Sequence, residues 1–150
     1  MNIFATSACP QASAKFLDDK RVVKMVLESA QLLSNVMNMY GAQGPYKLTH
    51  KYHPCTKWAM ENRTNARWLF AHFVFLCNEY TARYGKTHKC EELLPQFKAY
   101  FGTGDISVSN FLNCTPYPEL PVHEAYQQCL SDKWDTDKRP ATWYKKERVS

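Results

Sequence analysis

Phe16, Leu17, Val23, Val26, Leu27, Ala30, Leu33, Met37 and Tyr40 recur at steps of three and four residues. Such spacing places them on one stripe of an amphipathic helix, predicted from about Ser13 to Tyr40 and stopped by Gly41 and Gly44-Pro45. A polar loop follows over 45–53. Pro54 then stands where a first helical turn tolerates proline. Trp58, Asn62, Ala66, Leu69, Phe73, Cys77 and Tyr80 predict a second long helix ending near Tyr84-Gly85. Glu91 to Phe101 reads as a shorter helix whose first turn Pro95 makes irregular, broken by Gly102-Thr103-Gly104. The proline-rich stretch 115–121 reads as extended, and a fourth helix is expected from Val122 to about Trp134. Period-two alternation is almost absent. The pattern implies an all-α fold, one compact domain over 1–150 with two long helices, shorter helices and a basic aromatic C-terminal tail.

Composition narrows the class. A chain of 150 residues that is 45% hydrophobic and 14% aromatic can bury a core and is not a disordered one. Its longest apolar run, around Phe73-Val74-Phe75-Leu76, is too short to span a membrane. Met1 to Ser7 shows neither a basic region nor a long apolar run, so the expectation is a soluble, cytoplasmic protein. The six cysteines form no CxxC pair and, in that compartment, are expected to be reduced thiols. A net charge of +5 suits a polyanionic partner. Basic residues adjoin aromatics at Arg67-Trp68, Arg83-Tyr84 and Trp143-Tyr144-Lys145-Lys146, a mixture that serves phosphates and stacked bases. For any single one of these aromatics, core packing is the competing reading.

Three constellations carry candidate chemistry. Glu28 is the carboxylate in the middle of the first helix, with Arg21, Lys24 and Gln31 on or near its face. Lys24, one turn before it, would support its charge, and an ordinary surface pair is the plain alternative. His50, His53 and Cys55, with His88 later, have ligand types suited to zinc or iron, but their loop context points rather to DNA contact or to loop structure. No metal or cofactor is expected. Lys47, His50, Lys51 and Lys57 would form a phosphate-binding edge, with His53 reaching toward a base or sugar. Trp143-Tyr144-Lys145-Lys146 suits a DNA groove; equally, Trp143 docks the C-terminus onto the helices. His72 and Cys77 sit in an apolar helix and read as core.

Two stretches resemble the phage pyrimidine-dimer DNA glycosylase (endonuclease V) family. Leu17-Asp18-Asp19-Lys20-Arg21-Val22-Val23-Lys24-Met25-Val26-Leu27-Glu28 is similar in spacing to that family's first long helix. Pro121-Val122-His123-Glu124-Ala125 resembles the start of its last helix. Arg139-Pro140-Ala141-Thr142-Trp143-Tyr144-Lys145 resembles its tail, with Ala141 as one extra residue. Tyr52-His53-Pro54 is similar to a motif of bacterial relatives. The matched segments cover about a third of the chain.

The resemblance implies a DNA glycosylase and abasic-site lyase that works without a cofactor. In this family the α-amine of the mature chain attacks the sugar C1′ and forms an imine. An α-amine suits the task, since its reference pKa of about 8 against about 10.4 for lysine leaves more of it neutral. The resemblance places Glu28 on the catalytic glutamate and assigns the nucleophile to Met1, or to Asn2 if Met1 is removed. It implies a DNA-holding role for Arg21, and together with the charge and aromatic pattern the expected nucleic-acid contacts are Lys20, Arg21, Lys24, Lys47, His50, Lys51, His53, Arg139, Trp143, Tyr144, Lys145 and Lys146. The implied partner is double-stranded DNA, bound by a monomer away from any membrane. Leu27 stands where the phage enzyme has an arginine, and Asn2 stands where it has a smaller residue. Two further readings remain at this stage, a phage-type enzyme acting on a hypermodified base and a non-catalytic DNA-binding module.

Overall fold

A computed structural model describes residues 1–148. Its helices are α1 (Pro10–Phe16), α2 (Asp19–Met39), α3 (Pro54–Glu61), α4 (Arg63–Tyr84), α5 (Leu94–Phe101) and α6 (Val122–Thr136). A 3₁₀ turn, Lys89–Leu93, leads into α5, the irregular entry anticipated from Pro95. Two short antiparallel strands, β1 (Thr142–Trp143) and β2 (Lys146–Glu147), close the tail. The all-α reading holds. Among the described residues, no helix is long and apolar enough to cross a membrane.

The two long helices expected from periodicity are both interrupted. Leu17 and Asp18 are extended, so the first becomes α1 and α2. The carbonyls this break frees are taken by distant donors. Arg83 donates to Leu17 O at 2.6 Å and Lys15 O at 3.1 Å, and the Trp143 indole donates to Phe16 O at 3.0 Å. Asn62 interrupts the second helix with φ −159° and ψ 168°. Its Oδ1 caps α4 by accepting from the Asn65 amide at 2.8 Å, as a short polar side chain does at a helix start. Gly85, at φ +69°, ends α4 in the left-handed conformation glycine adopts without strain.

α2 lies along α4, and α1 and α3 pack against the same helix. Met25, Val26, Leu32 and Leu33 of α2 meet a core that includes Trp68, Leu69, Phe73 and Leu76 of α4. Tyr126 and Leu130 bring α6 into the same cluster. A buried polar network ties the tail to this scaffold. Arg83, with no exposed side-chain surface, pairs with Asp19 at 3.2 Å and Glu79 at 3.1 Å. Asp19 also accepts from the Thr142 hydroxyl at 2.7 Å and from the amides of Tyr144 and Lys145 at 2.9 and 2.8 Å. Those amides belong to a two-residue hairpin turn, with φ +54° at Tyr144 and +63° at Lys145, the backbone twist such tight hairpins require.

Candidate active site

The first residues run through the protein rather than over it. Ile3 and Ala5 are fully buried, and Phe4 and Thr6 nearly so. Backbone this deep must find partners, and side chains from two helices supply them. Trp68 donates its indole N–H to Ala8 O at 2.8 Å, and Gln127 donates to Thr6 O at 2.9 Å. His123 Nδ1 lies 2.6 Å from Ala5 O; a carbonyl only accepts, so that nitrogen carries the ring proton. Phe4 takes a left-handed φ of +40°, a conformation that strains a bulky residue. Asn2 holds that turn, its Oδ1 accepting from the amides of Ile3 at 2.7 Å and Phe4 at 2.9 Å.

This segment delivers the amine of Met1 to within 3.6 Å of Glu28 Oε1. The Met1 side chain is 3% exposed, while Glu28 keeps 29% of its surface open to solvent. The carboxylate therefore has a charged partner, but it is the amine and not Lys24. Lys24 is exposed, and no ion pair joins it to Glu28 among the described residues. Leu27 beside it is also exposed.

His53 stands at the start of α3, where its Nδ1 accepts from the Cys55 amide at 3.0 Å and caps the helix. Burial lowers its pKa below the ordinary histidine range; the nearby amine and His50 add to this, and Glu28 opposes it. The His50 and His53 rings are 6.2 Å apart, edge to face. Behind them Cys55 Sγ lies 3.6 Å from Cys114 Sγ. The hydrogen bond from Cys55, against the effect of burial and with help from the amine, brings the Cys114 thiol down to about 7. The same bond and burial push the Cys55 thiol up. Cys114 carried no sequence signal, because it sits in the irregular segment between α5 and α6 and meets its partner only through the fold.

A groove of about 640 Å³ continues from this edge along α3, lined in part by Lys51, Tyr52, Pro54, Lys57, Trp58 and Phe111. Tyr52 is 75% exposed, and Lys51 Nζ lies 5.5 Å from its ring centroid. His88 is elsewhere: it caps the 3₁₀ turn through the Cys90 amide and packs on Tyr80. Among the described residues, no group of three or more His, Cys, Asp or Glu side chains is placed to hold a metal ion.

The other candidate contact residues divide into two sets. Lys20, Lys24, Lys47, His50, Lys51, Arg139, Lys145 and Lys146 are exposed. Arg21, in contrast, is clamped between Asp18 at 3.3 Å and Asp137 at 2.9 Å. Trp143 is bonded to Phe16 O and packs edge-on against Trp134 at 4.8 Å. Tyr144 donates its hydroxyl to Glu79 at 2.6 Å while Arg83 lies over its ring at 4.8 Å. Thus the fold already uses the polar atoms of Arg21, Trp143 and Tyr144.

Comparison with curated proteins and with solved structures returned no match. A family model described as pyrimidine dimer DNA glycosylase matches residues 1–92, which contain the buried N-terminal segment, α2 with Glu28, and His53. This match spans more than half of the chain. The chain belongs to the pyrimidine dimer DNA glycosylase family.

Proposed function

We propose that this protein excises damaged pyrimidines from double-stranded DNA and cleaves the strand at the resulting abasic site, acting as a monomer. The observation that carries this reading is the 3.6 Å approach of the Met1 amine to Glu28. The neutral amine attacks C1′, the bond from C1′ to the base breaks, and the base leaves with a proton. Opening of the sugar and loss of the amine proton leave an imine. Removal of a C2′ proton then expels the 3′ phosphate by β-elimination. In this reading Glu28 stabilises positive charge at the amine and C1′ and accepts that C2′ proton, a role its 3.6 Å approach to the amine supports.

Met1 is favoured over Asn2 as nucleophile by what each side chain does. The Met1 side chain is seated, and the Asn2 side-chain Oδ1 is committed to the turn at Phe4. Borohydride reduction in the presence of abasic or ultraviolet-damaged duplex should trap a covalent adduct, and peptide mapping should place it on Met1. An adduct on an internal lysine would retain the lyase and discard this nucleophile. Absence of an adduct on every lesion tried would leave a DNA-binding module.

A further inference from the structure

We infer that Cys55 and Cys114 form a reversible disulfide, with Cys114 as the attacking thiol and Cys55 as the resolving one. Their sulfur atoms are already 3.6 Å apart, so side-chain rotation must close a gap of roughly 1.5 Å to reach an S–S bond of about 2.05 Å. The two thiols differ in access. Cys55 is fully buried in the first turn of α3, whereas Cys114 is partly exposed on the irregular segment between α5 and α6. They differ in reactivity too, since the Cys114 thiol is held near 7 and that of Cys55 is pushed up. A reachable thiolate beside a sheltered second thiol is the arrangement that oxidises to a disulfide rather than to higher acids.

The oxidant is a low-molecular-weight disulfide such as oxidised glutathione. The Cys114 thiolate attacks one of its sulfurs and expels one glutathione thiolate. Cys55 then loses its proton and attacks the Cys114 sulfur, expelling the second glutathione. Two protein thiols are oxidised, and one glutathione disulfide is reduced to two thiols. The bridge would tether 102–121 to α3. That segment already rests on the same helix, with the Trp58 indole donating to Asn110 O at 2.8 Å and Phe111 stacked on Trp58 at 5.9 Å. The bridge is independent of the proposed chemistry; only its position beside a working nucleophile rests on the amine reading.

The test exposes the reduced full-length protein to excess oxidised glutathione and maps peptides without reduction. The expected product has lost two hydrogens and joins Cys55 to Cys114, and dithiothreitol reverses it. In Cys114→Ser no bridge forms, and buried Cys55 stays free of glutathione. Cleavage by protease within 102–121 should slow several-fold in the bridged form and return on reduction. Free thiols, a persistent mixed disulfide at Cys114, or a bridge to another cysteine would overturn the inference. Glutathione on Cys55 in Cys114→Ser would overturn the order of attack, and unchanged cleavage would overturn the tether. A correct bridge in a protein that fails to trap abasic DNA would count against the amine reading alone.

Discussion

The amine of Met1 and the carboxylate of Glu28 meet at 3.6 Å, brought together by a buried N-terminal segment that crosses to the middle of α2. Glu28→Gln keeps the size of the side chain and removes its charge. Excision and imine trapping should fall about 100- to 10,000-fold if the carboxylate works on the sugar and its protons. Because Glu28 is partly exposed and its one ion pair among the described residues is the 3.6 Å contact with the Met1 amine, the thermal midpoint should barely move. DNA affinity should hold or rise slightly, since one negative charge near the phosphates has gone. Near-normal excision by the variant would remove Glu28 from the chemistry.

His53 gives a second readout of the same cluster. Burial, the amine and His50 lower its pKa and Glu28 raises it, so the ring should titrate below 6.5 in the folded protein. A histidine depressed in this way contributes stability above its unfolded pKa, and that contribution is lost as pH falls through the folded value. In Glu28→Gln the opposing influence is gone, and the midpoint should move lower still. Proton-detected NMR of the imidazole resolves both changes. A midpoint that ignores the substitution would place the His53 ring away from Glu28.

Helix content could be read from the chain because a three-four periodicity is a local signal, and Glu28 could be singled out as a candidate because a carboxylate at a family spacing is local too. The interruptions at Leu17-Asp18 and Asn62 could not be read that way, since the apolar stripe runs on through them. What permits the first is a set of remote donors, Arg83 and Trp143, which satisfy the carbonyls it frees. For the same reason Arg21 reads as a free cation in sequence yet lies between two aspartates, one of them at the end of α6. His123 and Gln127, which hold the N-terminal segment, and Cys114, which meets Cys55, are equally products of tertiary contact.

Those hydrogen bonds to the N-terminal segment make a prediction of their own. His123→Ala removes the donor to Ala5 O and the edge-to-face contact of its ring with Phe111. It should cost about 1–3 kcal/mol, the penalty for leaving a buried carbonyl unpaired. Imine trapping at saturating DNA should fall further than the loss of folded protein explains, because the amine is no longer held at Glu28. Equal losses of trapping and of folded fraction would show His123 to be a packing residue only.

The buried network at the tail should respond sharply to loss of its cation. Arg83→Met leaves Asp19 and Glu79 close together in the interior with their charge partner removed. Breaking a buried pair in this way typically costs about 3–5 kcal/mol, which chemical denaturation would measure directly. Acid should act on the same network. Burial would raise the Asp19 carboxyl, but Lys145, Thr142, Tyr144 and Arg83 together hold it below 3.8. Its contribution is therefore present above 3.8 and is lost as pH falls through the lower folded value. The docked tail should release only in strong acid, and Trp143 fluorescence should report it. Release near neutral pH would contradict the network.

The tail also separates two ways of gripping DNA. Trp143 is docked through its indole, and Tyr144 is tied by its hydroxyl to Glu79 though its side chain stays partly open, whereas Lys145 and Lys146 are exposed at the hairpin. If the tail acts through its lysines, Lys145→Ala with Lys146→Ala should weaken duplex binding at low salt without changing the thermal midpoint. Each lost phosphate contact should reduce the slope of log affinity against log salt by about 0.9. Trp143→Phe should behave in the opposite manner. It loses the bond to Phe16 O and part of the contact with Trp134, so it lowers stability by about 1–2 kcal/mol while the salt slope stays put. Should Trp143→Phe instead weaken binding of damaged duplex at full stability, the indole must leave its dock to stack on a base, and the docked tail is the resting state alone.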